Sequence, residues 1–319
     1  MFDGWVNGRQ VIVPHEAVCN LCGSEDAVLL FDTYDRLLRL SGSYRFVRCR
    51  VCGLVYVNPQ PTWDERAPHY GPSYRGYHRL ETEQSSIQRR AMEYGLHKRY
   101  RLVATCSRGG RLLDAGCGGG DFLSRMRREA GWQVYGLERV RQIALTAHRF
   151  HGLDVVVGDL MQAGFASGYF DVVTLWAALE HLSDPMQGLR ECARILRPGG
   201  ALVIRTVTLD SWGSRLFGPC WVGYDAPRVL FVFSRATLQC MLTEAGFEAT
   251  HVGCHFHDFF PFLWSLQNVS EAHLGARAQR RFAARVASSW PIRLVTLPFF
   301  IVQTLLGRNS FVTVVARKR

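Results

Sequence analysis

The sequence predicts an α/β protein: a mostly parallel sheet flanked by helices, preceded by a small cysteine-bearing module. Three observations carry this. Residues 112–123 (LLDAGCGGGDFL) pass from a short apolar run through a glycine cluster into an amphipathic segment, which reads as strand, tight turn and helix. Strand-like runs recur downstream at 133–137 (QVYGL), 153–157 (LDVVV) and 170–176 (FDVVTLW), separated by helix-length stretches. Two C-x-x-C-G knuckles, at 19–23 and 49–53, stand in front of them.

The chain of 319 residues has room for one large domain and an accessory module, and 48% hydrophobic content supplies a sizeable core. The net charge of +11 comes from 38 basic residues, of which only Lys98 and Lys318 are lysines. The arginines are scattered rather than clustered, so nucleic acid is not the expected partner. The opening MFDGWVNGRQ has neither a basic nor an apolar signal-peptide region, which points to a cytoplasmic location.

Cys19, Cys22, Cys49 and Cys52 each sit in a tight turn, and two such turns aim four thiolates at one point, a donor set suited to a structural Zn2+. The competing readings are a redox pair or unrelated cysteines. Four protein ligands would leave no open coordination position, so such a metal would stabilise and not catalyse. Residues 1–60 are assigned to this ribbon. Pro59, Pro61, Pro68 and Pro72 mark a linker, and 81–106 contains no proline while Met92, Leu96, Tyr100 and Val103 recur at helical steps. Residues 61–108 are therefore a linker and an amphipathic helix, whose Arg89, Arg90, Lys98, Arg99 and Arg101 are expected to be solvated.

In the central part, glycines at 116 and 118–120 let a ligand lie on backbone beside a helix N-terminus. Glu138 follows the second strand, where an acid can take both hydroxyls of a ribose. A dinucleotide-binding turn usually reads G-x-G-x-x-G, whereas this one reads G-x-G-G-G. The succession D-A-G-C-G-G-G, Glu138, G-D-L at 158–160, F-D-V-V at 170–173, E-H-L-S-D-P at 180–185 and L-R-P-G-G at 196–200 resembles the class I S-adenosylmethionine (SAM) dependent methyltransferases. The stretch C-x-x-C-G-L-V-Y-V-N-P-x-P, followed by Tyr70 and Tyr74, is similar to a subgroup with an N-terminal zinc ribbon that modifies bacterial polysaccharides, glycolipids and secondary metabolites.

The resemblance implies a Rossmann-like seven-stranded methyltransferase sheet over 109–255 plus 310–319, its last strand antiparallel. It implies that Asp114, Gly116 and Gly118 line the methionine end of SAM, that Glu138 binds the ribose, that Asp159 and Leu160 meet the adenine, and that Tyr70 covers the cofactor. His181, at the end of the fourth strand, is the candidate base near the methyl group, and a role limited to shaping the loop is its competitor. Residues 212–234 resemble the family's stretch over the acceptor, W-x-x-x-D-x-P-R-H, with Val229 in place of the histidine, so no base comes from that position. Tyr224, Asp225 and Arg228 remain acceptor-site candidates.

Residues 256–309 are an addition to the fold, a helical insertion or lid. Its apolar parts, 256–266 and 294–306, are too short to span a bilayer. Packing as a lid, a dimer surface, or peripheral membrane contact beside the arginines at 277–285 are the three readings. The expected reaction is SN2 transfer of methyl to a hydroxyl of a sugar, glycolipid or small metabolite, with a small-molecule, sugar or lipid-linked acceptor as partner. RNA methylation through the zinc ribbon and basic surface is one alternative, and a non-catalytic SAM-binding scaffold is the other.

Overall fold

The computed structural model describes residues 5–6, 9–10, 18–71, 86–254, 258–274 and 290–319. Tyr74 and the histidines at 255 and 257 lie outside these. Strands β1 (Ala27–Thr33), β2 (Tyr44–Cys49) and β3 (Val55–Val57) form an antiparallel meander around the knuckles. A short helix α1 (Trp63–Arg66) follows, closed by a Thr62–Glu65 capping box. The long helix α2 (Ser86–Cys106) leads into the sheet.

Next come β4 (Gly110–Ala115), α3 (Asp121–Arg127), β5 (Trp132–Glu138), α4 (Arg141–His151), β6 (Val155–Val157), β7 (Phe170–Trp176), α5 (Pro185–Ile195) and β8 (Leu196–Val207). The chain continues through α6 (Trp212–Phe217), β9 (Phe231–Val232), α7 (Arg235–Glu244) and β10 (Phe247–Gly253). The insertion contributes α8 (Phe259–Leu274) and α9 (Trp290–Leu305), and β11 (Phe311–Lys318) ends the chain. The large sheet has seven strands in the order β10-β11-β8-β7-β4-β5-β6. Strands β4 to β8 run parallel, while β11 is antiparallel to both β8 and β10. The order reverses at β4 and β7, so the carboxyl ends of β4, β5, β6 and β7 share one edge at a topological switch point.

The third strand is shorter than 153–157. Gly152 closes α4 in a left-handed conformation (φ 57°), and Leu153 turns inward as a buried plug, leaving only Val155–Val157 to pair. The fifth parallel strand, β8, begins early: Leu196 already pairs with Phe170, before a register shift between Leu196 and Ala201.

The ribbon is not a separate body. Strand β9 adds antiparallel to β3, pairing Phe231 with Tyr56 and Val232 with Val55, so residues from beyond the parallel strands complete the ribbon's own sheet. A single core runs from Cys19, Phe46 and Leu54 through Trp221 and Phe233 to Leu175, Leu202 and Ile204 in the central sheet. A ribbon of this size buries little apolar surface alone, and sharing a core offsets that deficit.

Candidate active site

The parallel strands deliver the predicted groups to one cavity of about 780 Å³, lined by Tyr70, Asp114, Gly116, Gly118, Glu138, Asp159, Leu160, His181 and Asp225. Gly116 has φ 83°, and a Cβ there would stand 2.8 Å from the Cβ of Ala178, so the turn requires glycine. Glu138 is buried and accepts the N–H groups of Gly118 at 3.0 Å and Val140 at 2.9 Å, one on each oxygen. Each oxygen retains acceptor capacity for a ligand hydroxyl. Asp114 accepts the Thr174 hydroxyl at 2.7 Å, and burial pushes its carboxyl up to about 7 against the pull of Thr174 and Arg99. Asp159 receives the Met161 N–H at 3.1 Å and a charged bond from Arg139 at 2.6 Å.

His181 Nδ1 lies 2.8 Å from the carbonyl oxygen of Arg228, which has no proton to give, so Nδ1 carries the hydrogen and Nε2 the lone pair. Tyr70 Oη lies 3.3 Å from the same nitrogen and donates to the same carbonyl at 3.4 Å. Burial lowers the His181 pKa below its ordinary value, keeping the ring neutral near pH 7. Burial also pushes the Tyr70 phenol up to about 12, so it acts as a donor and not a base. Glu180 is buried and accepts the Thr206 hydroxyl at 2.8 Å, a contact that fixes the loop.

Tyr224 and Arg228 are not among the lining residues. Tyr224 is packed against Phe31, Phe46 and Trp221 at 4.8, 5.0 and 5.2 Å between ring centroids. Arg228 has no exposed side-chain surface, and its guanidinium is held by Asp35 at 2.7 Å and Asp225 at 2.6 Å. Asp35 in turn accepts His69 Nδ1 at 2.6 Å. The resemblance implies that Tyr224, Asp225 and Arg228 lie over the acceptor; the side chains of Tyr224 and Arg228 fasten that segment to the ribbon, while Asp225 also lines the cavity.

The four cysteines converge. Their sulfurs all lie within 4.8 Å of one another, with Cys19–Cys52 at 3.4 Å and Cys22–Cys49 at 3.5 Å. Zn–S bonds of about 2.3 Å in a tetrahedron place sulfurs about 3.8 Å apart, so donor set and spacing both fit zinc. Burial acts to raise the Cys49 thiol, yet the N–H groups of Cys52 and Val51 and the Cys22 thiol bring it to about 7. The knuckle also reaches the His181 loop. Asn20, between Cys19 and Cys22, donates to Asp184 at 2.8 Å and accepts the Met186 N–H at 2.9 Å at the start of α5. Gln60 and Arg66 donate to the carbonyls of Ser183 at 3.0 Å and His181 at 2.9 Å.

Sequence reasoning missed several lining residues. Arg99, expected in solvent, faces the cavity with its guanidinium 5.1 Å from the Trp176 ring. Its position three residues after Leu96, on the face that carries Met92 and Leu96, was the available signal. Nε of Arg99 and Nε1 of Trp176 are both buried without a partner among the described residues, which suits a ligand bearing an acceptor group such as a carboxylate. The insertion contributes Phe260, Leu263, Trp264, Gln267 and Asn268, and the ribbon contributes Arg36 and Leu37. These contacts were invisible in one sequence because they depend on how separate segments meet.

The family described as "Methyltransferase domain" matches residues 85–252. A curated relative from Xanthomonas oryzae pv. oryzae, named ubiquinone biosynthesis O-methyltransferase, is 41% identical over 106 residues, covering 31% of this chain and 44% of the relative. A relative of the same name from Pectobacterium atrosepticum is 34% identical over 129 residues, covering 38% and 53%. The chain thus spans about half the length of these relatives, or less. The crystal structure of a SAM dependent methyltransferase from Archaeoglobus fulgidus matches with a TM-score of 0.50 at 18% identity, over 73% of this chain and 98% of that one, a likeness of fold.

Proposed function

Because the chain belongs to the methyltransferase-domain family, we propose that it transfers a methyl group from SAM to a hydroxyl oxygen of a small amphiphilic acceptor, within the class of sugars, glycolipids and small metabolites. The observation that carries this reading is the convergence on one cavity of a glycine turn, the Glu138 carboxylate and a histidine held in one tautomer. SAM, when bound, supplies an electrophilic methyl on a sulfonium leaving group. Glu138 would hold the ribose hydroxyls, Asp159 and Leu160 the adenine, and Arg99 the methionine carboxylate.

The chain's remaining task is to place the acceptor oxygen in line and to remove its proton. His181 Nε2 takes that proton as the oxygen attacks, and the positive charge it gains is partly met by Glu180 and Asp225. The acceptor side of the cavity combines the apolar surfaces of Phe260, Leu263 and Trp264 with the polar Gln267, Asn268 and Arg205, which favours an acceptor with a polar head and an apolar body. An acceptor of that kind includes lipid-linked molecules, and a lipid-linked acceptor would call for a membrane-peripheral location. The four cysteines would hold a structural Zn2+ that fixes the ribbon against the His181 loop. Incubation with SAM carrying a labelled methyl and with fractionated lipid and polar extracts tests the reading. Label in an acceptor with wild type and not with His181→Gln supports it, and no transfer to any fraction despite SAM binding favours a scaffold.

A further inference from the structure

Helix α9 has a buried inner face and an exposed outer face that is apolar. Thr296, Phe300 and Gln303, spaced at four and three, form the inner face: Phe300 is 2% exposed and packs on Phe259 and Phe262 of α8, and Gln303 donates to Asp258 at 3.1 Å. The opposite face presents Leu294, Val295, Ile301, Val302 and Leu305, with Val295 80% and Leu305 81% exposed. The outer face of a surface helix is ordinarily polar, and a contiguous apolar patch of this kind marks a contact surface.

The described helix is too short to span a membrane. Its 16 residues extend about 24 Å, short of the roughly 30 Å hydrocarbon core, and no helix among the described residues is long and apolar enough to cross. The charge of the sequence within and on either side of the helix selects between the remaining occupants. Residues 272–309 contain six arginines (277, 280, 281, 285, 293 and 308) and no acidic residue. A second copy seated on this face would bring two such segments together and be repelled, whereas a surface of anionic phospholipid would attract both.

We propose that the outer face of α9 docks this protein on an anionic bilayer surface, with its apolar side chains at the level of the lipid headgroups and acyl chains. The inner face of the same helix rests on α8, which supplies Phe260, Leu263 and Trp264 to the cavity, so docking brings the acceptor side of the site next to the lipid. Delivery of an amphiphilic acceptor by this route rests on the function proposed above; the docking itself does not.

The test is co-sedimentation of the full chain with phosphatidylcholine vesicles, with and without phosphatidylglycerol, for wild type, Val295→Ser/Leu305→Ser, and Leu145→Ser as an exposed apolar change on α4. SAM binding is measured on the same samples as a check on folding and, separately, on the proposed function. Wild type is expected on the anionic vesicles, less so at high salt, with the double variant partitioning about tenfold more weakly and Leu145→Ser unchanged. Wild type that stays in the supernatant, or a double variant that sediments like wild type, would overturn the proposal. So would a wild-type dimer by light scattering that the double variant reduces to a monomer, because the face would then belong to a second copy.

Discussion

Asp35 and Arg228 are ion-paired at 2.7 Å with neither side chain exposed, joining the cysteine-bearing ribbon to the segment whose backbone holds His181. Removing one partner of a buried pair costs about 3–5 kcal/mol when it leaves an uncompensated charge; here Asp225, at 2.6 Å, still pairs with Arg228, so the loss is expected below that range. Asp35→Ala should therefore lower the urea midpoint and reduce kcat, because the Arg228 carbonyl loses its anchor. The pair also sets an acid sensitivity. Burial raises the Asp35 carboxyl, but Arg228 outweighs it and holds the folded pKa below the unfolded value. Its stabilisation is full above the unfolded carboxylate range and is lost as pH falls through the folded pKa. In urea melts below about pH 4, the range of a free carboxylate, the difference between wild type and Asp35→Ala should shrink.

His181→Gln should lower kcat by about 10²- to 10⁴-fold, the usual contribution of general-base catalysis, with SAM affinity preserved. Burial lowers the His181 pKa, so the acid limb of the wild-type kcat profile should fall below the ordinary histidine range, and the variant should lack that limb. A variant with near-normal kcat and an unchanged profile would mean that placement alone drives transfer.

Metal analysis should find about one zinc per chain in the purified protein, as a closed four-thiolate site predicts. Cys49→Ser, or treatment with a strong chelator, should release Asn20 from Asp184 and Met186, contacts at 2.8 and 2.9 Å, and so loosen the start of α5 beside His181. The measurement is hydrogen exchange: faster exchange at residues 181–187 with the far strands β10 and β11 unaffected is the expected result.

Arg99→Met should weaken SAM by roughly tenfold, the scale of a charge-assisted hydrogen bond. Methylthioadenosine, which lacks the methionine carboxylate, should bind wild type and variant alike. Equal losses for both ligands would show that Arg99 supports the cavity wall through its 5.1 Å stacking on Trp176.

The parallel strands around the glycine turn are readable from sequence because period and glycine punctuation are local signals, whereas the full seven-stranded sheet and the gathering of Asp114, Asp159 and His181 beside Glu138 are implied by the family resemblance. The cysteine cluster is readable from local signals too, since each knuckle builds its own turn. What escapes depends on contact between distant segments. Arg228 matches an acceptor-site motif, but only the position of Asp35, 193 residues away, shows that its charge is already taken. Arg99 reads as a solvated cation because helix periodicity alone does not say that its side of α2 covers a cavity. The ribbon reads as a separate module, and the pairing of Phe231 with Tyr56 that ties it in has no local signature.

The most direct test of the account is calorimetric binding of SAM and S-adenosylhomocysteine to wild type, Glu138→Ala and Glu138→Gln. The geometry predicts that wild type binds both, that Glu138→Ala loses about 1–3 kcal/mol through the missing ribose hydrogen bonds, and that Glu138→Gln, which keeps one acceptor, falls between. Wild type that binds neither ligand, or a Glu138→Ala variant that binds both as tightly as wild type, would contradict the assignment of this cavity to SAM.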